Sequence, residues 1–317
     1  LFLNEAGAYI DTVLDTLRND VPDAIVHDFA GIAGTIAADA LHVPNVMLYT
    51  SYPSNDHYSV AEGFASVPAD HPLRLAADGI AEGFAAKYGC RKMTVKEIFD
   101  GQGDLNLVMV QKRLVPNYES FDDSFVFTGV QIGKRSAFGS WTAPDNGKPL
   151  LYTSLGSLFN NWPEFYKMLF PVVKDLDINV LCSLGKSIKP EDLGEIPANV
   201  TTMAFTPQLE VLRHTSFFLT HAGVGSVMEA LYNGVPMMCI PQMDEQIFTA
   251  HRMEELGITS GVLLKEQVTE ESLRKVLTEL IENPAYGEKA RAMGEQMHRE
   301  GGCDKAAQAV IDYVNKL

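Results

Sequence analysis

Short β-rich runs alternate with helix-length segments along nearly all of this chain, and that alternation leaves few folds open. Residues 24–27, 45–49, 105–110 and 125–128 read as strands in the first half. Residues 150–153, 179–183, 200–204, 217–220, 237–240 and 261–264 do so in the second. Helical patterns separate many of them. In residues 4–20 the positions Ile10, Val13, Leu14 and Leu17 fall at i, i+3, i+4 and i+7 and form one apolar stripe. Strands that alternate with helices imply βαβ units and parallel sheets, so the fold class expected is α/β.

The chain has 317 residues, and at roughly 150 residues per domain that length suggests two domains. The stretch around residues 133–149 supplies a break. It holds Gly133, Gly139, Pro144, Gly147 and Pro149 with little apolar periodicity. The expected division is residues 1–133, a linker at 134–148, and a second domain at 149–317. Within the first domain the pattern loosens over residues 51–103, where prolines and short helical pieces suggest a binding wall. Leu1 is not a start methionine, and the chain opens in the middle of an α/β pattern. More chain is therefore expected before it.

Charge excludes some partners. Lys and Arg number 25 against 41 Asp and Glu, a formal net charge of −16. A negative field repels nucleic acids and anionic membranes, so neither is expected as a partner. No apolar run reaches the ~18 residues of a membrane span. Cys90, Cys182, Cys239 and Cys303 are scattered without metal-type spacing, which suits reduced thiols and a cytoplasmic location.

The most informative segment is residues 217–246. An apolar strand ends at Thr220, and His221-Ala222-Gly223-Val224-Gly225-Ser226 turns directly into a helix expected from about Ser226. Glycines let a backbone approach a ligand closely, and a helix N-terminus offers free N–H groups and partial positive charge to a phosphate. A lone Gly-x-Gly also fits an ordinary tight turn. Two flanking segments strengthen the ligand reading: Phe205-Thr206-Pro207-Gln208 upstream, and Pro241-Gln242-Met243-Asp244-Glu245-Gln246 downstream. All three follow strands, and open α/β sheets bind ligands at the C-terminal ends of their strands.

The segment from Phe205 to Gln246 resembles the nucleotide-sugar signature of the family 1 glycosyltransferases, in particular the bacterial macrolide and flavonoid glucosyltransferases. The likeness extends from about Gly7 to the C-terminus. It implies the GT-B fold, two Rossmann-like domains facing across a cleft, with acceptor bound by the first and sugar nucleotide by the second. The terminal helix, residues 303–317, would return to the first domain. By the same resemblance Phe205 would stack on uracil and Gln208 would lie near base and ribose. Glu229 would hold the ribose hydroxyls. His221, Gly223, Gly225 and Ser226 would surround the diphosphate, reached from the other side by Ser154 and Ser157. Asp244, Glu245 and Gln246 would lie by the donor sugar, with Gln246 suggestive of glucose. Each residue also has a plainer role open to it. Phe205 fits a core, Glu229 a solvent-facing helix position, Asp244 a helix cap, and His221 a satisfied buried histidine.

Transfer to a hydroxyl needs a base, and a histidine base needs a carboxylate to fix its tautomer and balance its charge. Asp28 matches the family's aspartate in that role, although it could equally cap the helix expected from about Ala30. The family's histidine lies in the first strand–helix turn, ahead of Leu1. The chain by itself is therefore expected to bind nucleotide but to transfer little. His27 should face away from Asp28 across the strand, and His57 and His71 fall in the irregular wall. Asp175-Leu176-Asp177 imitates a metal motif but stands at the wrong end of a strand. No metal and no cofactor are expected. The partners expected are a UDP-sugar and a lipophilic hydroxylated acceptor, for which the aromatics Tyr52, Tyr58, Phe64 and Phe84 argue. The function expected is inverting sugar transfer. A hydrolysing epimerase or a non-catalytic nucleotide-sugar binder are the alternatives.

Overall fold

The computed structural model describes residues 2–55, 57–59, 68, 70–94, 97, 100–133, 141–157 and 160–317. Phe64 and positions 134–140 of the expected linker lie outside them. The chain divides into two compact units, residues 1–131 with 300–317, and residues 132–299.

The first unit is built on a four-stranded parallel sheet in sequence order: β1 (Ile25–Asp28), β2 (Asn45–Tyr49), β3 (Leu105–Val108) and β4 (Phe125–Phe127). The helices α1 (Phe2–Leu17), α2 (Ile32–Leu41) and α3 (Pro72–Tyr88) accompany it. The stripe of α1 is buried at Leu3, Ala6, Ile10 and Leu14, against Ile32 and Ile36 of α2 and Phe84 of α3. Phe84 is thus a core residue and no part of an acceptor wall, because its ring is buried in this cluster against α1. Tyr52 is buried as well, 3% exposed. His71 caps α3, its Nδ1 accepting from the Leu73 N–H at 3.3 Å.

The second unit carries β5 (Leu150–Ser154), α4 (Pro163–Val173), β6 (Asn179–Ser183), β7 (Val200–Met203), α5 (Gln208–Leu212), β8 (Phe217–Thr220), α6 (Val224–Tyr232), β9 (Met237–Cys239), α7 (Asp244–Glu255), β10 (Thr259–Val262), α8 (Glu270–Glu282) and α9 (Ala285–Met297). Its six strands are all parallel, in the order β10-β9-β8-β5-β6-β7. The chain lays down β5, β6 and β7 outward in one direction, then returns to the other side of β5 for β8, β9 and β10. This is the doubly wound order, and its switch point is the crevice between β5 and β8. The turns leaving those two strands diverge there and expose the strand ends. Capping agrees with the sequence at α8, where Thr269 Oγ1 accepts from the Ser272 N–H at 3.1 Å.

The last helix, α10 (Gly302–Val314), belongs to the first unit. Its Ala306, Ala309, Val310 and Tyr313 pack on Val46, Leu105 and Leu107 of the sheet. Lys305 Nζ donates to the Phe127 carbonyl at 2.7 Å, and the Gly302 N–H to the Thr128 carbonyl at 3.0 Å. Gln111 Nε2 donates to Glu300 Oε1 at 2.9 Å just ahead of the helix.

Candidate functional site

A cavity of about 880 Å³ opens in the second unit at the β5–β8 switch point. The turns after β5, β6, β7 and β8 all contribute to it. Ser154, Ser157, Phe205, Gln208, His221, Gly225, Ser226 and Glu229, all singled out in the sequence, line this one space.

The floor is set by α6. It starts at Val224, with Gly223 as its N-cap, two residues earlier than the sequence pattern suggests. Gly225 and Ser226 therefore sit in the first turn. The first helical bond runs from the Val227 N–H to the Gly223 carbonyl at 3.0 Å. The N–H groups of Val224, Gly225 and Ser226 precede it and have no partner within the helix. Partial positive charge gathers at that end. The turn into α6 is strained: Ala222 has φ +61°, a left-handed conformation that costs a non-glycine about 1–2 kcal/mol, and it is fully buried.

His221 lies across this turn. A Cβ built on Gly156 would stand 2.6 Å from its Nε2, and one built on Gly223 2.5 Å, so two glycines make room for the ring. Gly156 also has φ +84°, which suits glycine alone. Burial pushes the His221 pKa down to about 4, so the ring is neutral at pH 7. Its Nδ1 is buried and has no hydrogen-bond partner among the described residues. Buried polar atoms in native proteins are nearly always satisfied, so this one calls for an explanation.

One wall is a hydrogen-bonded chain. Gln208 Nε2 donates to Glu229 Oε2 at 2.8 Å and to Ser226 Oγ at 3.2 Å. Gln208 Oε1 accepts from the Tyr152 hydroxyl at 3.1 Å, and that hydroxyl stands 2.7 Å from Thr206 Oγ1. Burial raises the Tyr152 pKa, which keeps the hydroxyl a donor. The i, i+3 spacing of Ser226 and Glu229 on α6 brings both within reach of one amide. Glu229 is only 6% exposed, so it is not an ordinary solvent-facing helix residue. Phe205 is the reverse case. It is 41% exposed at the cavity edge, where a core aromatic would be covered, and Lys186 Nζ stands 5.7 Å from its ring centroid. Tyr152, Thr206, Trp141 and Arg213 join the lining without having been expected. The Tyr152 hydroxyl is hard to foresee because Leu150-Leu151-Tyr152-Thr153 reads as plain core.

The remaining expected residues stand outside the lining. Gly223 lies against His221. Asp244 and Glu245 are exposed in the first turn of α7, where their charge favours the helix end; Met243, not Asp244, is the N-cap. Gln246 is 7% exposed and its Oε1 accepts from the Gln242 N–H at 2.8 Å. Gln242 Nε2 in turn donates to the Leu155 carbonyl at 3.3 Å, which ties this segment to the turn after β5.

In the first unit Asp28 is the last residue of β1. Its Oδ1 accepts from the Ala30 N–H at 2.9 Å and its Oδ2 from Thr50 Oγ1 at 3.2 Å. It shapes the turn but does not cap α2, whose N-cap is Gly31. His27 points to the other side of the strand, its Nε2 2.6 Å from Asn45 Oδ1. Asp177 pairs with Lys148 at 2.7 Å, and no group of three or more metal-ligating side chains is found among the described residues. Among them, too, no helix is long and apolar enough to cross a membrane.

Two parallel α/β sheets, the second with a polar cavity at its switch point, make a GT-B fold. Residues 137–314 match the family described as UDP-glucoronosyl and UDP-glucosyl transferase, and the chain belongs to that family. It is a glycosyltransferase. It is 35% identical to the NDP-glycosyltransferase YjiC of Bacillus subtilis (strain 168), over 99% of this chain and 78% of the relative. It is 29% identical to the oleandomycin glycosyltransferase of Streptomyces antibioticus, over 98% of this chain and 72% of the relative. Among solved structures, CalG4, the calicheamicin glycosyltransferase, superposes with a TM-score of 0.86 at 30% identity, covering 99% of this chain and 81% of that one.

Proposed function

We propose that the chain moves a sugar, glucose in the first instance, from a UDP-sugar to a hydroxyl of a lipophilic small molecule, with inversion at the anomeric carbon. The observation that carries this reading is the company His221 keeps. An unpartnered buried ring nitrogen, a helix start with free N–H groups, and a Gln208–Ser226–Glu229 set line one cavity with an exposed phenyl face. That series suits a diphosphate, a ribose and a base in turn. The kinship with oleandomycin and calicheamicin glycosyltransferases supports a hydroxylated natural product as acceptor.

In the reaction the acceptor oxygen bonds to the anomeric carbon as the bond to the β-phosphate oxygen breaks, and UDP leaves with the electron pair. The hydroxyl proton passes to a base. The leaving diphosphate gathers charge, which the α6 N–H groups and the His221 ring stabilise without a metal. Glu210 and Glu229, which line the cavity, are bonded to Arg213 and Gln208. By the family resemblance the base is a histidine oriented by Asp28. Asp244, Glu245 and Gln246, one tie away from the turn after β5, are proposed to meet the donor sugar. The test is a screen of UDP-sugars against hydroxylated macrolides and flavonoids, with UDP binding followed by calorimetry and the new linkage by NMR. A β-glycoside from an α-linked donor is expected. An α-linked product, or no affinity for UDP, defeats the reading.

A further inference from the structure

The turn after β5 is held from behind by two amide side chains that do not line the cavity. Asn160 Nδ2 donates to the Gly156 carbonyl at 2.7 Å, and Gln242 Nε2 to the Leu155 carbonyl at 3.3 Å. Asn160 is only 5% exposed. It is also wedged against the turn after β6. A Cβ built on Gly185 would fall 2.2 Å from Asn160 Nδ2, and Gly185 has φ +79°. One buried amide thus couples two turns, each of which contributes to the cavity through Gly156 and Gly185.

A trans peptide is planar, so its C=O and the following N–H point in opposite directions. With the Gly156 carbonyl turned to Asn160, the Ser157 N–H is turned away from it, and both Gly156 and Ser157 line the cavity. The Ser157 N–H donates to no partner among the described residues. Gly156 also stands against the His221 ring, next to the start of α6. Asn160 therefore controls which pole of the peptide faces the diphosphate end: N–H as it stands, or C=O if the peptide flips. For an anion these are opposite in sign.

We propose that Asn160 is a positioning residue for the donor diphosphate: by holding the Gly156 carbonyl, it presents the Ser157 N–H as a second anion-binding pole facing the helix start, and Gln242 supports the same turn one peptide earlier. This rests on the donor reading above and assigns a role to a side chain that touches no substrate. Asn160 acts on the diphosphate end through Gly156 and Ser157.

The test compares uridine with UDP in calorimetry on the full chain. Asn160→Asp keeps the shape but loses the donor at neutral pH. UDP affinity should fall by roughly tenfold, the value of one such hydrogen bond, while uridine, held at the Phe205 and Gln208 end, changes less than twofold. Lowering the pH protonates the new carboxyl, which then donates to Gly156. The ratio of variant to wild-type UDP affinity should therefore recover towards one at acid pH. Mere destabilisation would weaken uridine along with UDP. Gln242→Ala, at a less buried position, is the second variant and should also weaken UDP more than uridine. Equal losses for uridine and UDP, or unchanged UDP affinity in both variants, overturn the proposal. Failure of the wild-type chain to bind UDP would instead refute the donor reading itself.

Discussion

His221 links the site to stability through a proton. His221 is half-buried with its Nδ1 covered, and burial lowers its pKa from 6.5 to about 4. In the unfolded chain it returns to the ordinary value near 6.5. Between those two values the unfolded state binds the proton and the folded state does not, so acidification favours unfolding. The stabilising contribution is complete above pH 6.5 and disappears progressively as pH falls towards 4. Between pH 7 and pH 5 these pKa values cost the second unit about 2 kcal/mol. Replacing the ring by Asn removes the titration while keeping a polar group in the slot between Gly156 and Gly223. Urea unfolding of both proteins at pH 7 and pH 5 isolates the effect, because the carboxylates common to both cancel. The wild-type chain should lose about 2 kcal/mol more than His221→Asn over that interval. Equal losses would mean that the ring is already accessible to protons in the folded state, and the argument from its buried Nδ1 would collapse.

Phe205→Ala removes an exposed ring that packs little, so stability should hold while UDP affinity falls by roughly 1–3 kcal/mol, the worth of stacking one base, in calorimetry. Asp28→Asn in the full-length enzyme should leave UDP binding intact and lower kcat by ~10²–10⁴ in the transfer assay, the usual range for lost general-base assistance; wild-type turnover would remove Asp28 from the mechanism. Gly225→Ala should raise the melting temperature and weaken UDP, an opposition of sign that stability measurements and calorimetry read separately.

Local patterns carried a good part of the fold. The stripe on α1, the short strands and the Thr269 cap all follow from interactions within a few residues, which the sequence displays directly. The strand order does not. Nothing near Phe217 says that β8 lies beside β5 and not beside β7. That choice comes from long-range packing and the handedness of the crossovers. Yet it is the choice that creates the switch point. The ligand-facing residues were legible only as types at strand ends. Their mutual contacts, such as Gln208 spanning Ser226 and Glu229, depend on the crossing of two helices. Phe84 misled for the opposite reason: an aromatic in a loose segment looks like a wall, but its partner is Gly7, far away in sequence.

The glycines around His221 and the start of α6 divide by a physical test that the sequence could not apply. Gly156 and Gly223 are small because the protein needs them so; the His221 ring occupies the space a Cβ would take. Gly225 is different. A Cβ there would meet nothing within 4 Å, and its φ lies outside the left-handed range. In the first turn of α6 a glycine forgoes up to about 1 kcal/mol relative to alanine. The chain's own packing gives no return for that cost. Gly225 lines the cavity, so the approach it permits is that of something outside the chain, coming close to the backbone N–H groups at the helix start. A residue that weakens its own helix while leaving open space at an anion-accepting end is what a diphosphate-binding turn requires. A structural turn of the same length would have no reason to keep it.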